Sequence, residues 1–506
     1  MNKLNWQNKR IALLGFGIEN QAVLEYLIKQ GANDITICDK DQNLKLKTKN
    51  EKPQLKTQNY DIKYQLGKNY LDNLEQFDIV FRTPGIPYLT PEIQGAKKTG
   101  TLVTSQIKLF FDLCSAKIIG VTGTKGKGTT VSLITEILKL QITNYKFSLD
   151  KLETPVGQIN SKSRISNFQN KSKILNHKSK IYCGGNIGNA PIEFVDKIKK
   201  DDWVVLELSS FQLQDLDKSP HIAVVLDIKD DHLDHHQDRD EYIDAKTSIV
   251  RYQSKDDFTV VNLDYLTAYK FALMSPTVND YYFSRTKLVD LGTFVRWNNK
   301  KGKNKLGEII LRTEKRDQPI CKTNEVTLRG EHNLENICAA ITASHLAGAS
   351  IKSIKDEVIK FKGLEHRLEF VKEIGGAKYY NDSFSTTPET AIAAIKSFSE
   401  LIILIVGGSD KGANYTQLIN EITRSTVKTL IAIGVTGSII VKKLKTKNQK
   451  LQIIDDCKNM KEIVGCASKE AKPGDVILLS PASASFDMFA NYKDRGEQFK
   501  SAVADL

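Results

Sequence analysis

The residues with the most chemical content form one run, Gly120-Val121-Thr122-Gly123-Thr124-Lys125-Gly126-Lys127-Gly128-Thr129-Thr130. Its glycines let successive backbone N–H groups turn toward a single anion, and a helix beginning there adds the positive end of its dipole. Val131, Ile134 and Leu138 supply that helix with an apolar stripe. Lys127 would place a point charge on the outer phosphates of a nucleoside triphosphate. The spacing departs from the common G-x-x-x-x-G-K-[ST] pattern. Val121 stands where its first glycine belongs and Gly128 where its hydroxyl belongs, with Thr129 one residue late. The run reads as a phosphate cradle, but not a generic one.

Three more groups could join that chemistry. Glu207 interrupts the otherwise apolar run 203–208, and a carboxylate on a buried strand is costly unless it is paired or bound to a metal. It is a candidate Mg²⁺ ligand, with a structural ion pair as the alternative. Asp230-Asp231-His232-Leu233-Asp234-His235-His236 could hold a transition metal, yet its many oxygens suit Mg²⁺ better. The preferred reading puts His232 near the site and leaves the other histidines solvated. Lys246, in Tyr242-Ile243-Asp244-Ala245-Lys246, reads from its neighbours as an ordinary surface lysine. Near the N-terminus, Gly15-Phe16-Gly17-Ile18-Glu19-Asn20 with Asp39 is an incomplete dinucleotide fingerprint, because Asn20 replaces the third glycine. A dinucleotide site, a bare strand-to-helix turn and a site for another nucleoside diphosphate all remain open there.

These side chains need elements to carry them. Short apolar runs at 10–14, 35–38, 79–82, 117–121, 203–208, 222–226, 401–406, 429–433 and 475–479 alternate with amphipathic stretches, which predicts parallel α/β sheets. At 506 residues the chain suits about three domains. The stretches 143–180 and 285–317 are rich in Lys, Asn and Ser and read as insertions or loops of the middle segment. The net charge is 73 − 60 = +13, and part of the excess lies in the first of these stretches, without interleaved aromatics. Nucleic-acid binding is therefore not expected. Seven scattered cysteines indicate neither a disulfide framework nor a zinc site, and no membrane span or leader pattern is evident. A cytoplasmic, monomeric enzyme is the expectation.

The motifs, in this order, resemble the Mur ligase family across nearly the whole chain. The matching pieces are residues 123–129, Gly184-Gly185-Asn186-Ile187-Gly188, Glu207-Leu208-Ser209-Ser210-Phe211-Gln212-Leu213, Asp231-His232-Leu233-Asp234 and Ala245-Lys246. They continue with Gly330-Glu331-His332-Asn333-Leu334-Glu335-Asn336, His366-Arg367, Asn381-Asp382-Ser383 and Ser480-Pro481-Ala482-Ser483-Ala484-Ser485. The family's phosphate loop shares the offset noted above, and the last run is similar to its D-glutamate-adding branch.

The resemblance implies three α/β domains: a Rossmann-like 1–105 for a UDP-linked substrate, a central P-loop ATPase-type 106–362, and a Rossmann-like 363–506 for glutamate. It implies an ATP-dependent ligase joining D-glutamate to UDP-N-acetylmuramoyl-L-alanine through an acyl phosphate. L-Glutamate or another amino acid is the alternative acceptor. Gly15, Phe16, Asp39 and Thr83 would hold the uridine diphosphate; Asn186, Ser209 and Gln212 would face the muramoyl-alanine end. ATP would be held by Gly123, Thr124, Lys125, Gly126, Lys127, Gly128 and Thr129, with Asn336, Arg367 and Asp382. Two Mg²⁺ ions would rest on Thr129, Glu207, His232 and a carbamylated Lys246, making Lys127, Glu207, His232 and Lys246 the catalytic set. Thr386, Lys411, Ser485, Phe486 and Tyr492 would receive glutamate. Gly128 and Phe384 depart from the family, which often has a hydroxyl at the first position and a lysine at the second.

Overall fold

The structure is a computed structural model that describes residues 6–44, 61–152, 178–186, 189–229, 236–274, 279–298, 306–410, 412–444 and 451–506. Its strands form three sheets. The first is parallel: β1 (Arg10–Leu14), β2 (Asp34–Asp39), β3 (Asp61–Leu66), β4 (Ile79–Arg82) and β5 (Leu102–Thr104), in the order β3-β2-β1-β4-β5. Chain order reverses at β1, so Leu14 lies opposite both Cys38 and Arg82 at the edge where such sheets bind ligands. The turn after β1 requires glycine. Gly15 has φ 77°, and a Cβ there would come within 2.3 Å of the Thr83 methyl. Asn20 is fully buried, and its amide donates to the carbonyls of Leu14, Gly15 and Phe81 at 3.1, 2.8 and 3.0 Å. The residue that spoils the fingerprint thus staples the switch point.

The second sheet comprises β6 (Lys117–Thr122), β7 (Ile181–Gly185), β8 (Trp203–Glu207), β9 (Ile222–Val225), β10 (Phe258–Asn262), β11 (Asn279–Ser284), β12 (Gly292–Trp297), β13 (Gly307–Arg312) and β14 (Asp317–Lys322). Their order is β14-β13-β12-β11-β10-β9-β6-β8-β7, parallel from β7 to β12 and antiparallel beyond. The expectation of an insertion or loop over 285–317 is corrected here, because β12 and β13 lie inside it. Phe294, Ile309, Ile310 and Leu311 are buried there, while the polar residues around them dominate the local composition. Of the basic stretch, the helix Lys127–Leu152 takes the first part and residues 153–177 lie outside the described ones.

The third sheet comprises β15 (Glu369–Ile374), β16 (Ala377–Asn381), β17 (Ile402–Gly407), β18 (Val427–Ile433), β19 (Gln452–Ile454) and β20 (Val476–Leu479), in the order β15-β16-β20-β17-β18-β19. Only the β15–β16 pair is antiparallel. Alternate residues of β17 supply opposite faces, as a pleated strand must. Ile402 and Leu404 pack with Leu418 and Leu430, and Ile403 and Ile405 with Ile463 and Phe499.

The chain forms two compact units, Met1–Thr323 with Glu335–Val358, and Asn324–Leu334 with Ile359–Leu506. In the first, one apolar core runs from Leu13 and Phe81 through Phe110 and Phe194 to Leu206, joining the first two sheets. Among the described residues no helix is long and apolar enough to cross a membrane.

Candidate active site

Strand register assembles the centre of the first unit. β6 pairs with β8 and β9, setting Val121 opposite Glu207 and Thr122 opposite Val225. The phosphate loop, Glu207 and Asp227 therefore emerge together at the C-terminal edge, the usual place for a ligand. Gly123 passes so close to the next loop that a Cβ would lie 2.7 Å from Leu226 Cβ. The Thr124 N–H donates to the Asp227 carbonyl at 2.7 Å, and its hydroxyl donates to the Lys229 carbonyl at 3.0 Å. Gly126 has φ 86°, and a Cβ would lie 2.1 Å from Asn336 Oδ1, so only glycine lets Asn336 reach the loop. Lys127 opens the helix Lys127–Leu152, with its ammonium donating to the Gly123 and Thr124 carbonyls at 3.1 Å each. Thr129 is buried beside it, while Lys125 is exposed and Gly128 buried.

Glu207 ends β8 at 4% exposure. One oxygen accepts from Asn186 Nδ2 at 2.9 Å, while Oε2 is buried with no hydrogen-bond partner among the described residues. Asp227 Oδ1 is in the same condition. Buried carboxylate oxygens without donors among the described residues, at the ends of the strands flanking the one that carries the phosphate loop, suit a hard divalent cation. Asp227 was missed in the sequence, although it directly follows the apolar run 222–226.

Lys246 is 2% exposed, which corrects its reading as a surface lysine. It sits on the helix Arg239–Arg251 with Tyr242, Ile249 and Val250, and that apolar stripe turns inward. Its ammonium lies 4.7 Å from the Tyr242 ring centroid and donates to Thr122 Oγ1 at 3.5 Å. His232 lies outside the described residues. His236 is buried, correcting the expectation of a solvated ring. Asn186 is exposed, and Ser209 caps the short helix Ser210–Leu213 in a reciprocal box with Gln212. Gln212 is buried and its amide donates to Glu19 Oε1 at 2.6 Å.

Glu19 belongs to a buried polar cluster. Arg82 and Asp215 approach to 3.6 Å with side chains 1% and 2% exposed, and Arg82 donates to the Ile86 and Phe211 carbonyls. Burial pushes the Glu19 carboxyl from 4.5 up to about 7, with the Gln212 bond and Arg82 opposing and Asp215 adding to the rise. The folded state therefore holds this proton more tightly than the unfolded chain. Its contribution to stability is full below pH 4.5 and is lost as pH rises to about 7, a change of about 3 kcal/mol. Glu19→Gln should flatten the pH dependence of urea unfolding between pH 4.5 and 8 by that order; unchanged slopes would contradict this.

At the first sheet, the Phe16 N–H donates to Asp39 Oδ2 at 2.7 Å and the Asp41 N–H to Asp39 Oδ1 at 2.8 Å. Gly15, Phe16, Asp39 and Thr83 thus meet at the C-terminal ends of β1, β2 and β4.

In the second unit, Asn381 and Ile405 both lie opposite Leu479, so the Asp382 and 480–485 loops leave a common edge. Asp382 is 2% exposed and burial raises its carboxyl to about 6, against hydroxyl donation from Ser385 and Ser480, the Leu368 N–H, and Arg367. Arg367 is flanked by His366 at φ 62° and Leu368 at φ 46°, and its guanidinium lies 5.0 Å from the Phe384 ring centroid. Phe384 meets Tyr492 edge-on at 5.1 Å, so the residue in the lysine position provides a ring for the arginine. Thr386 is exposed, Ser485 is buried, Phe486 is 67% exposed, and Lys411 lies outside the described residues.

Arg495 carried no sequence signal. It is fully buried, donating to Ser383 Oγ at 2.9 Å and to the carbonyls of Ser383 and Ser483 at 2.9 and 3.2 Å. It ties the Asn-Asp-Ser loop to the 480–485 loop. Arg495→Met should cost about 3 kcal/mol of this unit's stability by stranding those acceptors, measurable by chemical unfolding.

Models of known families match three stretches: the Mur ligase MurD-like N-terminal domain at residues 9–105, the Mur ligase middle domain at 121–344, and the Mur ligase glutamate ligase domain at 366–483. A protein of Acetivibrio thermocellus named UDP-N-acetylmuramoylalanine--D-glutamate ligase is 39% identical over 99% of this chain and 97% of its own. One of the same name from Symbiobacterium thermophilum is 38% identical over 98% of each chain. Among solved structures, MurF ligase from Thermotoga maritima, in complex with ADP, aligns over 99% of this chain and 97% of its own with TM-score 0.54 at 15% identity, a likeness of fold. With all three of its domain models matched and relatives this similar over nearly its full length, this chain belongs to the Mur ligase family.

Proposed function

We propose that this chain joins D-glutamate to UDP-N-acetylmuramoyl-L-alanine, with ATP cleaved to ADP and phosphate, in the synthesis of the peptidoglycan precursor. The observation that carries the reading is the near full-length similarity to ligases named for that reaction. The phosphate loop, with Glu207 Oε2 and Asp227 Oδ1 buried and without hydrogen-bond partners among the described residues, supports the ATP half.

The substrate carboxylate attacks the γ-phosphorus, forming an acyl phosphate and releasing ADP. Lys127 leaves the carbonyls of Gly123 and Thr124 and turns its ammonium to the γ-phosphate. Two Mg²⁺ ions held by Thr129, Glu207, His232 and Lys246 would offset the charge that accumulates there. Lys246 would serve that role as a carbamate: its ammonium loses a proton, the free amine adds CO₂ through a new N–C bond, and a second proton leaves the nitrogen, so a cation becomes an anionic oxygen ligand. The glutamate amine then attacks the acyl carbon, and the tetrahedral intermediate expels phosphate. Gly15, Phe16, Asp39 and Thr83 hold the uridine diphosphate, and Asn186, Ser209 and Gln212 the muramoyl-alanine end. Asn336, Arg367 and Asp382 hold the nucleotide, and Thr386, Lys411, Ser485, Phe486 and Tyr492 receive glutamate. The reading divides the chain at about 105 and 362 and assigns the enzyme to the cytoplasm as a monomer.

The test is phosphate release from ATP with UDP-N-acetylmuramoyl-L-alanine and each glutamate enantiomer. Turnover with D-glutamate alone is expected. Turnover with L-glutamate alone would move the assignment to the second reading; Phe384 in the lysine position removes a positive charge near the acceptor carboxylates.

A further inference from the structure

His236 is the hub of a buried network that the proposed reaction leaves unused. Its side chain is 1% exposed. Nδ1 donates to Glu241 Oε2 at 2.6 Å, since a carboxylate can only accept, and Nε2 lies 2.9 Å from Ser210 Oγ. The ring stacks on Phe211 at 4.8 Å and 8°, and meets Tyr242 edge-on at 5.2 Å. The order serine–histidine–carboxylate is that of a hydrolytic triad. Yet Ser210 is 1% exposed and no substrate could reach its hydroxyl.

The network's neighbours reveal what it does. Ser210 stands three residues beyond Glu207, at the start of the short helix that follows β8. Glu241 and Tyr242 begin the helix that carries Lys246, one turn before it. Tyr242 also puts its hydroxyl 3.2 Å from Thr124 Oγ1 in the phosphate loop and its ring under the Lys246 ammonium. One imidazole thus touches the segments bearing Glu207 and Lys246, and through Tyr242 the loop bearing Lys127. Two hydrogen bonds and two ring contacts leave it no freedom to turn.

We infer that His236 is a positioning residue that holds the Glu207 loop and the Lys246 helix at the separation a shared divalent cation requires. The inference rests on those two residues being metal ligands. Groups that orient ligands from behind typically change metal affinity 10–100-fold when removed.

The experiment is a Mn²⁺ titration of the full chain with a non-hydrolysable ATP analogue, followed by electron paramagnetic resonance, alongside thermal melting. His236→Ala should weaken Mn²⁺ binding about tenfold or more, with His236→Gln between it and the parent. Glu207→Ala is the control for the metal reading. If Glu207→Ala leaves Mn²⁺ affinity unchanged, the metal reading fails and this inference falls with it. If Glu207→Ala weakens binding and His236→Ala does not, only the positioning role is overturned. A lower melting temperature with unchanged Mn²⁺ affinity overturns it too. Should His236→Ala not fold, Ser210→Ala, which removes only the Nε2 contact, decides: weaker Mn²⁺ binding supports the role, and unchanged binding refutes it.

Discussion

Lys127→Ala should reduce phosphate release at least about 10³-fold, the scale on which a single well-placed donor to transition-state charge acts. That corresponds to about 4 kcal/mol of lost stabilisation of the developing charge. The melting curve should stay near the parent's. The side chain is half-buried and alanine is the strongest helix former, so the first turn of the helix Lys127–Leu152 keeps its backbone. The loop geometry depends instead on Gly123, Gly126 and the bond from the Thr124 N–H to the Asp227 carbonyl. A pre-steady-state assay for acyl phosphate separates the half-reactions, and this variant should form none. Turnover near the parent's would refute the assignment of the loop.

Lys246→Ala should lose activity on a similar scale, about 10³-fold, and recover in part with small carboxylates such as formate or acetate. Lys246 is 2% exposed, so truncation leaves a cavity lined by Tyr242 and Thr122. A small carboxylate in that cavity would return the anionic oxygens that a carbamate supplies, about tenfold or more above the unrescued rate. The truncation also removes buried methylenes, so some loss of thermal stability is expected. Lys246→Met fills the volume without a reactive amine and should remain inactive with bicarbonate. A parent enzyme fully active after exhaustive removal of CO₂ and bicarbonate would count against the carbamate.

The two variants probe residues of unequal legibility. Lys127 sits in a glycine loop whose spacing alone suggests phosphate, because the chemistry lies in consecutive residues. Glu207 was legible for a related reason, since an acid in an apolar run must be explained. Lys246 was not. Its neighbours are polar, and its burial depends on which face of the helix Arg239–Arg251 meets the sheet. His236 was misread in the same way, because three histidines among carboxylates within five residues look solvated until Ser210, Phe211 and Glu241 close around one of them. Strands β12 and β13 escaped notice because Lys and Asn around them outweigh their short buried faces.

By itself the sequence determined the alternation of parallel strands and helices, the phosphate loop, and the motif order resembling one family of ligases. Those features reside in local periodicity and adjacency, which a one-dimensional reading can see. The tertiary structure alone decided that Val121 lies opposite Glu207 while Thr122 lies opposite Val225, which brings the loop, Glu207 and Asp227 to one sheet edge with the loop between the two acids. It alone decided that Asn20 staples the first switch point and that Arg495 ties together loops about a hundred residues apart. The reason is physical. Register and burial come from the packing of distant segments, and no local window of sequence contains both partners of such a contact.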